Sequence, residues 1–306
     1  MALSANLRGA LFMSIGMAGF TINDALFKTV LAEMNMGQAI FLRGVFATLL
    51  LFLLAWRNGA LRKFSRVLRP SVSVRVCCEM ASSVTFVLAL IHMPLADVSA
   101  VLQALPLAVT MGAALVFSEP VGWRRWCAIL AGFIGVLIIV RPGVEGFNLW
   151  SLSALATVGF CAVRDLSTRI IPSETPTVLV SLATSVAVST CGLILIVPFG
   201  GWETPTPSDL ATLFAAAIAL IFGYQFTIMA LRQGDISFMA PFRYTALLWA
   251  ILLGFLIFGD VPNGPMLLGS AIVIASGLYA LYREQIVARQ HPIAESTTPG
   301  MAPGGT

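Results

Sequence analysis

The sequence predicts an all-α integral membrane protein of ten transmembrane helices, arranged as two inverted five-helix repeats. Hydrophobic residues make up 58% of the chain and charged residues only 10%, against about 25% charged in soluble domains. Apolar runs of roughly 20 residues, the length that crosses a hydrocarbon layer, recur from one end of the chain to the other. An acid followed by a base four residues later is set inside such a run twice. Asp24 and Lys28 stand in GFTINDALFK at 19–28, and Asp165 and Arg169 follow Gly159 and Phe160 nearly half a chain later.

The runs fall near 9–31, 37–56, 75–93, 96–117, 124–141, 149–171, 177–198, 209–231, 236–258 and 264–282. They are continuous and do not alternate, which excludes a membrane β-barrel. Basic residues set an orientation. Arg8, Arg57, Arg62, Lys63, Arg66, Arg69, Arg75, Arg124, Arg125, Arg232, Arg283 and Arg289 all fall on one side, and only Arg141 lies in a loop on the other. By the positive-inside rule both termini are expected in the cytoplasm. The same rule accounts for the basic stretch 57–75 as a topogenic signal, so no nucleic-acid partner is expected. The segment 289–306, rich in Pro, Gly, Ser and Thr, reads as a disordered cytoplasmic tail. The first apolar run is too long and too charged for a cleavable signal. The five cysteines show neither metal-ligand spacing nor a disulfide framework.

The halves echo each other beyond the acid–base device. ADVSAVLQALPL at 96–107 parallels GDISFMAPFRYT at 234–245, VFSEP at 116–120 parallels IFGDV at 257–261, and Gly135 and Gly277 stand in the last helix of each half. Five spans per half is an odd number, so the second half enters the membrane inverted. Inverted repeats are the architecture of secondary transporters, with the solute site between the halves. The fifth, seventh and tenth spans carry no charge in their apolar stretches and read as peripheral. Small residues at 128, 131, 132 and 135 suit close helix packing, within the chain or at the seam of a homodimer.

NDALFK at 23–28, FLRG at 41–44 and APFRYTALLWA at 240–250, with an acid after each fourth span (Glu119 and Asp260), resemble the EamA-type branch of the drug/metabolite transporter superfamily. Within it they are similar to bacterial S-adenosylmethionine and riboflavin uptake carriers. The resemblance covers about residues 7–283, as repeats 7–141 and 149–283. It implies a multi-pass protein of the bacterial inner membrane, with a central cavity lined by the first four helices of each half.

An ionised side chain at a bilayer centre costs roughly 2.5 to 3.5 kcal/mol on insertion scales, so the buried charges are the candidate site. Counting residues along the spans gives an outer cluster of Asp24, Lys28, Arg43 and Gln103, and an inner cluster of Glu79, Asp165, Arg169, Gln225 and Arg243. Tyr224, Phe242, Tyr244 and Trp249 add rings for stacking. Each cluster would bind solute or act as a gate, with the pairs Asp24–Lys28 and Asp165–Arg169 on opposite faces, or would serve only as an ion-pair network. Asp97, Asp235, Glu119 and Asp260 read as capping or turn residues. Arg164 is assigned to a helix carbonyl or a lipid interface, and His92 to nothing. No enzyme motif, cofactor site or metal cluster is present in the sequence. The expected partners are the lipid bilayer and a small organic solute, riboflavin-like, nucleoside-like or S-adenosylmethionine-like, with proton coupling open. Export of amino acids by the same fold, and a receptor or scaffold without transport, are the alternatives.

Overall fold

The computed structural model describes residues 5–61, 67, 69–118, 122–141, 149–172, 174–233 and 240–290. The helices are α1 (Ala5–Leu31), α2 (Met36–Arg57), α3 (Pro70–His92), α4 (Leu95–Leu102), α5 (Leu105–Val116), α6 (Trp123–Val140), α7 (Trp150–Arg169), α8 (Thr177–Leu195), α9 (Pro207–Gln233), α10 (Thr245–Phe258) and α11 (Gly264–Gln290). A 3-10 turn, Ala240–Tyr244, leads into α10. No strand occurs among the described residues. Glu119, Asp235 and the tail 291–306 lie outside them.

Nine of the described spans are long and apolar enough to cross a membrane. The sixth, α7, is not among them, since Arg164, Asp165 and Arg169 share its 20 residues with several hydroxyl side chains. It packs along α3 and against α4 and α5, so its polar face meets protein and not lipid. The fourth span divides into α4 and α5. Pro106 lacks the N–H that would bond the Leu102 carbonyl, and the chain turns at Gln103 and Ala104 before continuing.

The main helix pairs are α1 with α9, α3 with α7, α2 with α8, and α6 with α11. Each pair draws one helix from either half. Exchanging every helix for its counterpart five spans away leaves this set of pairs unchanged. Lipid-like hydrocarbon gives no hydrophobic drive for such pairing, so close backbone approach supplies the attraction. A Cβ at Gly19 would lie 2.9 Å from the Gly223 nitrogen and 3.0 Å from the Ala219 carbonyl. The pair α6–α11 crosses as tightly, where a Cβ on Gly269 would come within 2.5 Å of the Gly135 carbonyl.

Polar side chains close one end of the bundle. Asn35 caps α2 by accepting from the Gly37 nitrogen at 2.8 Å, and its Nδ2 donates to the carbonyls of Ile196 and Gly201, each at 3.1 Å. Gln38 is fully buried, and its amide exchanges both bonds with the Glu203 backbone, at 2.6 and 2.9 Å. These contacts fix the α1–α2 corner to the loop after α8. The peripheral reading of the fifth span is visible in its exposed stripe of Leu130, Ile134 and Leu137.

The α1–α9 crossing is therefore expected to be intolerant of a single methyl group. Gly19→Ala should lower stability by about 1–3 kcal/mol through overpacking against backbone. Gly159→Ala, whose Cβ meets nothing within 4 Å, should be neutral or stabilising by helix propensity. Thermal unfolding of the purified variants in one detergent checks both.

Candidate functional site

The α3–α7 pair sets the register of the site. Ser153 Oγ donates to the Thr85 carbonyl at 2.7 Å, and Thr157 Oγ1 donates to Thr85 Oγ1 at 2.9 Å. The helices run antiparallel, so six residues back along α3 and seven forward along α7 advance about 9 and 10 Å respectively. Glu79 and Arg164 are thereby brought together. Arg164 Nη1 lies 3.1 Å from Glu79 Oε2, while its Nε and Nη2 each reach Asp165 Oδ1 at 2.8 Å.

Arg164 is thus the hub of the second-half charges, where sequence reasoning had Arg169. Arg169 stands exposed at the end of α7. A signal for Arg164 existed in the sequence. Ser153, Thr157, Cys161 and Arg164 follow steps of four, four and three, which place them on one helical face, whereas Asp165 and Arg169 begin a neighbouring one.

The first-half pair is corrected. Asp24 does not take Lys28 as its partner; it accepts from Asn23 Nδ2 at 2.8 Å and feels the charge of Arg43. The Arg43 guanidinium lies over the Phe27 ring, 4.0 Å from its centroid, and within electrostatic range of Asp24, Glu79 and the Tyr224 phenol. Tyr224 in turn interacts with Glu79, Arg164 and Arg75, and makes an edge contact with Phe20 at 5.0 Å. The expected outer and inner clusters are therefore one connected set. It runs from Asp24 on α1 through Arg43 on α2 and Tyr224 on α9 to Glu79 on α3 and Arg164 and Asp165 on α7. Tyr224 keeps 51% of its surface uncovered although charges from three other helices surround it.

Lys28 belongs elsewhere. Its ammonium donates to the Met93 carbonyl, sits 5.3 Å from the Phe258 ring centroid, and lies in the field of Asp260 and Asp97. Beside it Arg141, which ends α6 in the left-handed conformation, donates to Asn263 Oδ1 at 2.9 Å and interacts with Asp97. Asp97 stands in the first turn of α4 and Asp260 just past the end of α10, as helix-end acids are expected to, and both also lie in the field of Lys28, so these helix ends meet in one charged knot. One carboxylate oxygen of Asp260 is buried without a hydrogen-bond partner among the described residues.

The remaining candidates are dispersed. Gln103 is buried at the break between α4 and α5, and Gln225 is exposed on α9. Arg243 is exposed on the 3-10 turn, close to Tyr244. Tyr244 is 95% covered, because its ring occupies the space where Gly277 has no side chain. Phe242 and Trp249 pack with Met13, Met17 and Phe20, and Trp249 Nε1 donates to the Ser14 carbonyl at 3.2 Å. These rings seat α10 on α1, while Phe20 and Tyr224 are the rings at the charged centre. Among the described residues no group of His, Cys, Asp and Glu is placed to hold a metal ion.

The comparisons with known proteins fit this arrangement. Residues 7–141 match the EamA-like transporter family. The chain is similar to the S-adenosylmethionine uptake transporter of Rickettsia prowazekii (strain Madrid E), 25% identical over 93% of this chain and 96% of that one. It is similar also to the riboflavin transporter of Vibrio cholerae serotype O1, 36% identical over 58% of this chain and 59% of the relative. The pseudopaline exporter CntI of Pseudomonas aeruginosa (strain UCBPP-PA14) is 26% identical over 90% and 96%. A solved crystal structure superposes with a TM-score of 0.63 at 18% identity, covering 93% of this chain and 98% of that chain; this shows a shared fold alone. The EamA-type resemblance of the sequence motifs is thereby borne out.

A guanidinium shared by two carboxylates is expected to behave as a unit. Removing one partner of a buried ion pair typically costs about 3–5 kcal/mol, since the other charge is stranded. Arg164→Gln and Glu79→Gln should each lower the unfolding midpoint substantially. The double variant should lose clearly less than the sum of the two, which a thermal double-mutant cycle on purified protein measures.

Proposed function

We propose that the chain is a secondary transporter of a small, charge-bearing organic metabolite, working by alternating access in a bacterial inner membrane with both termini cytoplasmic. The observation that carries this reading is the connected centre of Asp24, Arg43, Glu79, Arg164, Asp165 and Tyr224. It is built from helices of both halves and offers both signs of charge beside an aromatic ring that is half uncovered. Such a site suits a zwitterion with a flat group, through charge pairing and stacking. The names of the relatives point to transport and not to catalysis. The unchanged helix pairing under exchange of halves supports the inverted five-helix repeats 7–141 and 149–283.

In this reading the knot of Lys28, Asp97 and Asp260 is the outer gate, closed in the present structure. Opening that end would separate Lys28 on α1 from the α3–α4 turn and the end of α10, exchanging the hydrogen bond to the Met93 carbonyl and the field of the two acids for water. These contacts bias the closed form. A bias of about 1.4 kcal/mol changes the population ratio tenfold.

Two experiments test the reading. Proteoliposomes should show saturable uptake of at least one solute from a panel that includes S-adenosylmethionine and riboflavin. Glu79→Gln and Arg43→Gln should abolish it, and Gly159→Ala should keep it. Flux equal to that of empty liposomes for the whole panel sinks the transporter reading. Separately, Lys28→Gln should raise the maleimide labelling of a Leu31→Cys reporter, 9% exposed in the native chain, in a background without the native cysteines. Unchanged labelling would leave the knot a static strut.

A further inference from the structure

The α6–α11 pair carries a feature that the transport reading does not use. The two helices touch backbone to backbone at Gly135 and Gly269 and leave a groove of about 460 Å³ between them toward the start of α6. The floor is made of small or slender side chains, Cys127, Ala131, Ile272 and Ala275, so the helices have little with which to fill the space. At the mouth stand Trp123, 71% exposed, and Tyr279, 43% exposed, with the Arg124 guanidinium 5.4 Å from the Trp123 ring centroid. No acidic residue lines the groove.

We propose that this groove is a binding site for an anionic phospholipid, with an acyl chain along the Cys127–Ala131 floor and the phosphate at Arg124. The groove opens sideways from two spanning helices, where hydrocarbon tails are the surrounding solvent. Trp and Tyr are the residues that settle at the headgroup level of a bilayer, which puts the mouth at that depth and the apolar floor beneath it. Arg124 then faces the phosphate layer with no acidic residue among the described groove lining, and basic pockets between spanning helices select anionic headgroups. A second copy of this chain is the rival occupant. It would bring another Arg124 or an apolar stripe to the same place and would leave the cation without a counter-charge.

Cys127 is exposed in the groove and reports its occupancy. Purified protein in detergent is given phosphatidylglycerol or phosphatidylcholine with the same acyl chains, and the alkylation rate of Cys127 is followed by mass spectrometry with peptide mapping. Phosphatidylglycerol should slow alkylation severalfold more than phosphatidylcholine does. Arg124→Gln, a change at an exposed position, should erase that difference. Ala131→Trp, which fills the floor, should abolish lipid-dependent protection while Cys77 reactivity stays the same. Equal protection by both lipids, or none, overturns the proposal. So does protection that rises with protein concentration in the absence of lipid, which would assign the face to a second copy. If Ala131→Trp fails to fold, the comparison of wild type with Arg124→Gln still decides the matter.

Discussion

Charges held inside a low-dielectric bundle govern how this chain is put together. An isolated ion costs several kcal/mol to desolvate even after relaxation, so the cations at the centre of the bundle are set among anions. Arg164 divides its guanidinium between Glu79 and Asp165, and Arg43 lies in the field of Asp24 and Glu79 while stacking on Phe27. A planar fork with several donors can serve two acceptors at once, which a lysine ammonium does less well. The helices that carry these groups come from both halves of the chain. The electrostatic requirement therefore ties the two halves together.

Backbone contact supplies what the charges alone do not. The α1–α9 and α6–α11 crossings depend on glycines that allow carbonyl and Cα groups to meet, and hydroxyls stitch α3 to α7. The same close crossings have a by-product. Helices that meet tightly at one point diverge beyond it, and where the flanking residues are small the divergence is left as open space, as between Ala131 and Ala275.

The two kinds of charged site differ in character. The central set is spread over five helices and includes an aromatic ring that keeps half of its surface uncovered. The Lys28 knot is confined to helix ends and turns, where short connections hold Asp97 and Asp260 near one ammonium. Its contacts join helix termini, which are the parts that must separate when one face of such a bundle opens. The break at Gln103 and the 3-10 turn before α10 fall in corresponding spans of the two halves; the first follows from Pro106, which interrupts the ladder, and the second contains Pro241.

Hydropathy and local chemistry determined a good deal by themselves. The rough limits of the helices, the membrane class, the EamA-type resemblance and the helices that bear buried charge all follow from the run lengths and from residues such as Asp24, Arg43 and Glu79. Partner choice did not follow. Spacing by four puts Asp24 and Lys28 on one face, but a face is about 100° wide, and which groups meet across it depends on the crossing point and register of the opposite helix. Gly16, Gly19 and Gly223 set that register for α1; Thr85 sets it for α7. Lys28 has a long stem and sits near a helix end, so it reaches the Met93 carbonyl and two acids beyond its own helix. Tyr244 follows Arg243 in what reads as a cavity motif, yet it is buried because Gly277 leaves room for a ring. Sequence periodicity assigns a residue to a face; only the packing of the helices decides what that face touches.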